Sequence, residues 1–203
     1  MEYLLAVVLF AVSSSVTPGP NNIMVMTSGL NFGVKRSLPL LAGICVGFTL
    51  MLLLVGVGFS QLFDLFPFLH FIIKCIGVLY LLYLAYLIAR SAGNLESNEQ
   101  HQPFTFLKGA LFQWVNGKAW VVATGAVAAF TTAGTNFYSQ IVMISTTFFA
   151  VSFPCVGVWL LFGSLLKNAL NSAKSRMIFN YTMSALLVLS VIPVVKEVVQ
   201  QIS

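Results

Sequence analysis

Two short stretches carry residue types that can do chemistry inside an otherwise apolar chain. They are Thr17-Pro18-Gly19-Pro20-Asn21-Asn22 and Asn116-Gly117-Lys118. Each lies near the centre of an apolar run. Pro18 and Pro20 donate no backbone hydrogen bond, and in a helix their rings would clash with the carbonyls of Ser14 and Val16. Gly19 and Gly117 add slack. A helix must therefore break at both places. At each break a half-helix restarts, and its first N–H groups lack partners and carry partial positive charge. Gly19, Asn21 and Asn22 offer such groups at the first break. Lys118 and Ala119 offer them at the second, where Asn116 is placed as an N-cap. Lys118 adds a full cation, which costs at least ~2.5 kcal/mol near a bilayer centre. Acidic residues occur only at positions 2, 64, 96, 99 and 197, so no apolar segment offers it a counter-ion. A ligand carboxylate would serve, and the carbonyls freed at Ser14 and Val16 can accept from a ligand ammonium. The competing reading of Lys118 is a side chain that snorkels to the interface. Its place at the centre of an apolar run argues against that.

The elements that must hold these groups are membrane helices. Of 203 residues, 59% are hydrophobic and only 7% charged, with mean hydropathy +0.95. Soluble domains carry about 25% charged residues. The first apolar run lacks a basic leader and a small-residue cleavage site, which excludes a signal peptide. The net charge of +5 lies in loops and is not interleaved with aromatics, so it does not point to nucleic acid. Six spans are expected, at about 3–29, 38–62, 68–89, 104–130, 138–166 and 177–195. The first and fourth carry the breaks. Pro39 is expected in the first turn of the second span, and Pro154 kinks the fifth. Gly43 and Gly47, four apart, permit close helix contact, either within one subunit or across a homodimer. Tyr80, Tyr83 and Tyr86 form either an interfacial belt or ordinary packing. Cys45, Cys75 and Cys155 sit in three different spans without metal or redox spacing, and read as small buried hydrophobes. Among the loop residues, Glu96, Glu99 and His101 are expected in water.

Charge sets an expected topology. Lys35, Arg36, Arg90, Lys108, Lys167, Lys174 and Arg176 belong to the loops after spans one, three and five, against Lys74 and Lys196 on the other side. That bias places those loops in the cytoplasm and both termini outside. The breaks, at 17–22 and 116–118, are offset by about 100 residues. Three spans per half is an odd number, so the second half enters from the opposite side. The expectation is an all-α integral membrane protein of two inverted three-helix repeats, 1–93 and 104–203, joined by a cytoplasmic linker at 94–103. Paired broken helices in inverted halves point to a secondary transporter with a midplane site.

The segments Ser15-Val16-Thr17-Pro18-Gly19-Pro20-Asn21-Asn22, Ala42-Gly43-x-x-x-Gly47, Ile73-Lys74-Cys75-Ile76-Gly77-Val78-Leu79-Tyr80-Leu81 and Lys108-Gly109-x-x-x-Gln113-x-x-Asn116-Gly117-Lys118-Ala119 together resemble the LysE/RhtB family of amino-acid exporters. The resemblance covers nearly the whole chain. It implies proton-coupled antiport of a small amino acid across a bacterial inner membrane, without cofactor or metal. It also implies substrate contacts from Thr17, Pro18, Gly19, Pro20, Asn21, Asn22, Asn116 and Lys118. Two departures stand out. The family commonly reads Asn-Pro-Lys where this chain has Asn116-Gly117-Lys118. It often has an Asp in the second span where this chain has Phe48, as in the branch resembling cysteine and O-acetylserine exporters. Losing that Asp moves any proton role elsewhere. Lys118, neutral when empty and charged when bound, is the remaining candidate.

Two other classes compete. A six-span thiol–disulfide oxidoreductase needs a cysteine pair at the breaks, and the cysteines are elsewhere. An inorganic-ion transporter needs carboxylates or histidines within the spans, and none is present. An intramembrane hydrolase built on Ser13, Ser14 or Ser15 lacks a histidine base.

Overall fold

The computed structural model describes residues 2–59, 65, 67–90, 102–132, 134–170 and 172–202. Most of the expected 94–103 linker lies outside them, with Glu96, Glu99 and His101, as do Asp64 and the side chains of Lys74 and Lys167. The described residues form seven α-helices: α1 (Glu2–Val16), α2 (Pro20–Leu54), α3 (Pro67–Arg90), α4 (Phe106–Val115), α5 (Gly117–Phe130), α6 (Phe137–Ala169) and α7 (Ala173–Ile202). A π-helical turn, Val55–Phe59, follows α2. No strand occurs among them. Pro20 opens α2 in its first turn, where its missing N–H costs nothing.

The helix α2 is two segments. Gly33 has φ +77°, a conformation that favours glycine, and the helical geometry fails there. Ser28 Oγ and Ser37 Oγ hydrogen-bond at 2.7 Å across this point. Nine residues of straight helix would hold them ~13 Å apart, so the chain doubles back. The second segment thus starts at Val34, and Pro39 falls one turn deeper than the sequence pattern suggests. A single left-handed glycine reverses the chain in fewer residues than a polar loop would.

Packing is organised by α2, which lies chiefly against α6 and α4, while α3 pairs with α7 and α1 lies on α6. Glycines allow the closest approaches. A Cβ at Gly163 would stand 2.0 Å from the Met26 carbonyl oxygen, and one at Gly29 would stand 2.4 Å from that of Leu160. On the other face of α2, Gly43 meets the Phe106 carbonyl and Gly47 meets Ala110. The Gly43–Gly47 pair therefore packs against α4 of the same chain.

The exterior is apolar. Leu79, Val121, Tyr138 and Leu165 are each about two-thirds exposed. Such a surface is at home in lipid and an aggregation hazard in water. Four stretches are long and apolar enough to cross a bilayer: Pro20–Gly58, Phe71–Arg90, Phe137–Leu166 and Lys174–Gln200. The helices α1 and α5 are shorter. This is a multi-pass α-helical membrane protein. Pro154 and Pro193 lie inside α6 and α7, and α7 runs past Pro193 to Ile202.

Candidate functional site

The two breaks are adjacent in space. The first occupies residues 17–19, between α1 and α2, and the second is Asn116 alone, between α4 and α5. Lys118 Nζ donates to the Thr17 carbonyl at 2.6 Å. Its chain runs over Gly19, where a Cβ would be 3.0 Å from Lys118 Cδ and 3.2 Å from Nζ. The sequence leaves Lys118 beside positive helix starts with no partner. The structure instead sets its amine against the carbonyl end of α1, where the helix dipole favours a cation.

Breaking a helix inside a membrane frees carbonyls that must be satisfied internally. At the first break, Asn22 Nδ2 donates to the carbonyls of Ser15 and Thr17, both at 3.0 Å. Trp159 Nε1 on α6 donates to the Val16 carbonyl at 3.2 Å. The Thr17 hydroxyl donates back to the Ser13 carbonyl. At the second break, Asn116 Oδ1 accepts from the Lys118 amide at 3.2 Å, the expected N-cap. Trp120 Nε1 donates to the Trp114 carbonyl at 2.8 Å. Each break is thus closed by one asparagine and one indole. Asn21 faces the other half of the chain. Its amide pairs reciprocally with Gln113, at 2.9 and 3.1 Å, and Gln113 Nε2 also donates to the Gly109 carbonyl at 2.9 Å.

Of the eight residues singled out in the sequence, Gly19, Asn21, Asn22, Asn116 and Lys118 line one cavity of about 50 Å³. One water needs about 10–15 Å³ of such space, so the cavity holds a few. Ser14, Ser15 and Ser152 add hydroxyls, and Ile44, Phe48, Val122 and Phe148 add apolar wall. Pro18 and Pro20 line a second cavity instead, of about 440 Å³, towards α3 and α7. Gly19, Asn116 and Lys118 border both. Thr17 borders neither and contributes its carbonyl. Among the described residues no carboxylate comes within ion-pair distance of Lys118. Sequence reasoning missed Gln113, Phe148, Ser152 and Trp159. Gln113 stood in a noticed motif, whereas nothing in the pattern of α6 marks its three residues as facing a break.

Residues 12–193 match the family described as LysE type translocator. The chain belongs to that family. Curated relatives include the "Cysteine/O-acetylserine efflux protein" of Escherichia coli (strain K12) and that of Shigella sonnei (strain Ss046). Each is 31% identical over 137 residues, covering 67% of this chain and 69% of the relative. No solved structure matches. Within this translocator, Phe48 is 8% exposed and packs on Phe148 with ring centroids 5.4 Å apart. The cavity wall at that point is aromatic where many family members are expected to carry an acid.

Proposed function

We propose that this translocator exports small amino acids or their derivatives, of the cysteine and O-acetylserine type, and that the substrate binds between the two helix breaks. The observation that carries the reading is the contact between Lys118 and the Thr17 carbonyl. A cation and a carbonyl held together are the two halves of a zwitterion site. An incoming amino acid can insert between them, its ammonium on the Thr17 carbonyl and its carboxylate on Lys118. The first-turn amides of α2 and α5 add partial positive charge for the carboxylate. The apolar wall of Phe48, Phe148 and Val122 leaves room only for a small side chain.

The proposal has further parts. Taken in series, α1 with the first segment of α2, and α4 with α5, would make two broken spans, giving six in all. These form two inverted repeats, 1–93 and 104–203, with the linker 94–103 in the cytoplasm and both termini outside. The bilayer is a bacterial inner membrane, and transport is antiport with a proton. Lys118 is the group proposed to carry that proton, since the Thr17 carbonyl supports its ammonium on the empty leg of the cycle. Phe48 supports this indirectly by leaving no acid at the position where relatives have one. The shared midplane site and a homodimer belong to the same reading.

The test is efflux of labelled cysteine, O-acetylserine and a panel of larger amino acids from proteoliposomes, with and without a pH gradient. Saturable efflux of the small substrates, lost in Lys118→Ala, is the expected result. Equal efflux from wild type and Lys118→Ala would overturn it.

A further inference from the structure

A third cavity, of about 210 Å³, lies where the reversal in α2, the C-terminus of α3 and the N-terminus of α4 meet. Two cations line it, Arg90 and Lys108, together with Thr27, Asn31 and Gln102. No acidic side chain is among its lining residues. We infer that this cavity is a second, carboxylate-recognising site, which captures the amino acid at the cationic end of the bundle before it reaches the helix breaks. The inference rests on the exporter reading above.

Thr27 supplies the independent observation. It is 2% exposed, and its hydroxyl has no hydrogen-bond partner. That is abnormal for a helical threonine in this protein. Thr49, Thr124, Thr146, Thr147 and Thr182 each donate to the carbonyl four residues earlier, at 2.8–2.9 Å. Thr27 passes over the same option. A buried hydroxyl left unmade is costly, and such exceptions concentrate where a ligand completes them. The hydroxyl can donate to a carboxylate oxygen. Lys108 Nζ stands 5.7 Å from the Phe104 ring centroid, which holds the amine over the cavity's aromatic wall. The first turn of α4, capped by Thr105, adds partial positive charge on the same side.

Its position fits capture before transport. Thr27 lies on the same helical segment as Asn22, five residues or ~8 Å further along. Between the two cavities, the approaches of Gly163 to Met26 and Gly29 to Leu160 seal α2 against α6. A molecule in the third cavity is thus one helical stretch from the breaks and separated from them by packed backbone. A volume of about 210 Å³ suits a small molecule rather than a macromolecular segment, and the buried depth of Thr27 suits a small headgroup.

The experiment uses the purified full chain with labelled O-acetyl-L-serine as probe. Equilibrium dialysis in nanodiscs of phosphatidylcholine should find two sites per chain in wild type. One should remain in Lys118→Ala, and one, the other, in Lys108→Gln and in Thr27→Val. In oriented vesicles, Lys108→Gln should raise KM about tenfold when the probe is supplied at the end bearing Lys35, the loss of one charge-assisted hydrogen bond. KM from the opposite end should stay unchanged, and Lys108→Arg should restore the low value. Unaltered stoichiometry and KM in both Lys108→Gln and Thr27→Val would overturn the inference. So would a KM effect that is absent in phosphatidylcholine and present only with added phosphatidylglycerol, because the occupant would then be a lipid headgroup. A site lost in Lys108→Gln but kept in Lys118→Ala, with no second site detected in wild type, would sink the central site and leave this one standing.

Discussion

Lys118 Nζ reaches the Thr17 carbonyl at 2.6 Å, joining residues 101 positions apart in the chain. One hydrogen bond therefore ties the two helix breaks to each other. Each partner also serves its own break: Thr17 accepts from Asn22, and the Lys118 amide is capped by Asn116. Whatever enters between the breaks must compete for this contact.

Replacing Lys118 tests that competition. Lys118→Ala is expected to weaken binding of the small substrates by about 10- to 100-fold, the worth of a charge-assisted hydrogen bond. Lys118→Arg keeps a cation but does not readily release a proton. It is expected to keep part of the binding and to lose dependence on a pH gradient. Binding isotherms and gradient-driven efflux measured on both variants separate the two roles. Wild-type gradient dependence in Lys118→Arg would remove the proton from this residue.

The Asn21–Gln113 pair makes a second prediction. Gln113 is fully buried. Gln113→Leu leaves the Asn21 amide without its partner and is expected to cost about 1–3 kcal/mol. Adding Asn21→Leu removes the orphaned group, so the double variant should lose less than the sum of the singles. Thermal unfolding in detergent reads all four corners of the cycle. Strict additivity would show that the pair contributes nothing as a pair.

Much of this was legible in the sequence for a specific reason. Proline and glycine act locally, so Pro18, Gly19 and Pro20 announce a break whatever surrounds them. Asn116 announces a cap, and an isolated Lys118 announces an electrostatic problem. What the pattern hides is the solution to that problem. The Thr17 carbonyl is a backbone group, and no residue code marks it as an acceptor. Trp159 and Phe148 lie on α6, apolar throughout its length, where hydropathy does not distinguish the face that meets a break. The reversal at Gly33 was also obscured, because Asn31, Lys35 and Arg36 read as an ordinary polar loop. One positive φ achieves the same turn inside a continuous helical stretch.

Glycine contacts give a third prediction with an internal control. At Gly163 a methyl group would collide with the Met26 carbonyl oxygen, and backbone cannot move aside cheaply. Gly163→Ala is expected to cost about 1–3 kcal/mol, the usual range for overpacking. Gly125 lies in α5, and a methyl group added there would meet nothing within 4 Å. Gly125→Ala should be neutral, or stabilising by up to about 1 kcal/mol from helix propensity. Melting temperatures of the two variants in one detergent make the comparison. Equal effects would mean that the α2–α6 approach is looser than described.

Topology is open to a direct check. The bias of Lys35, Arg36, Arg90 and their companions towards one side motivates the proposed cytoplasmic linker. Reporter fusions at Ser97 and after the last residue are expected to report opposite compartments. The same compartment for both would reject the six-span reading without touching the family assignment.

The last prediction concerns substrate size. Phe48 and Phe148 form one wall of the cavity at the breaks, packed ring against ring at 5.4 Å. Phe148 is 1% exposed, and its ring also meets Phe10 at 6.2 Å, edge to face. Truncation to Ala would leave a large void and cost about 3–5 kcal/mol. Phe148→Leu keeps most of the volume, so it isolates the effect on the cavity. If this wall limits the substrate's side chain, Phe148→Leu should improve kcat/KM for larger aliphatic amino acids relative to cysteine. One methylene in an apolar pocket discriminates by about 10- to 200-fold, which sets the scale of the change. Lys118 is untouched, so the shift should come without loss of carboxylate recognition, and amino-acid amides should remain poor substrates. A preference unchanged in Phe148→Leu, with protein as stable as wild type, would show that size is selected elsewhere along the path.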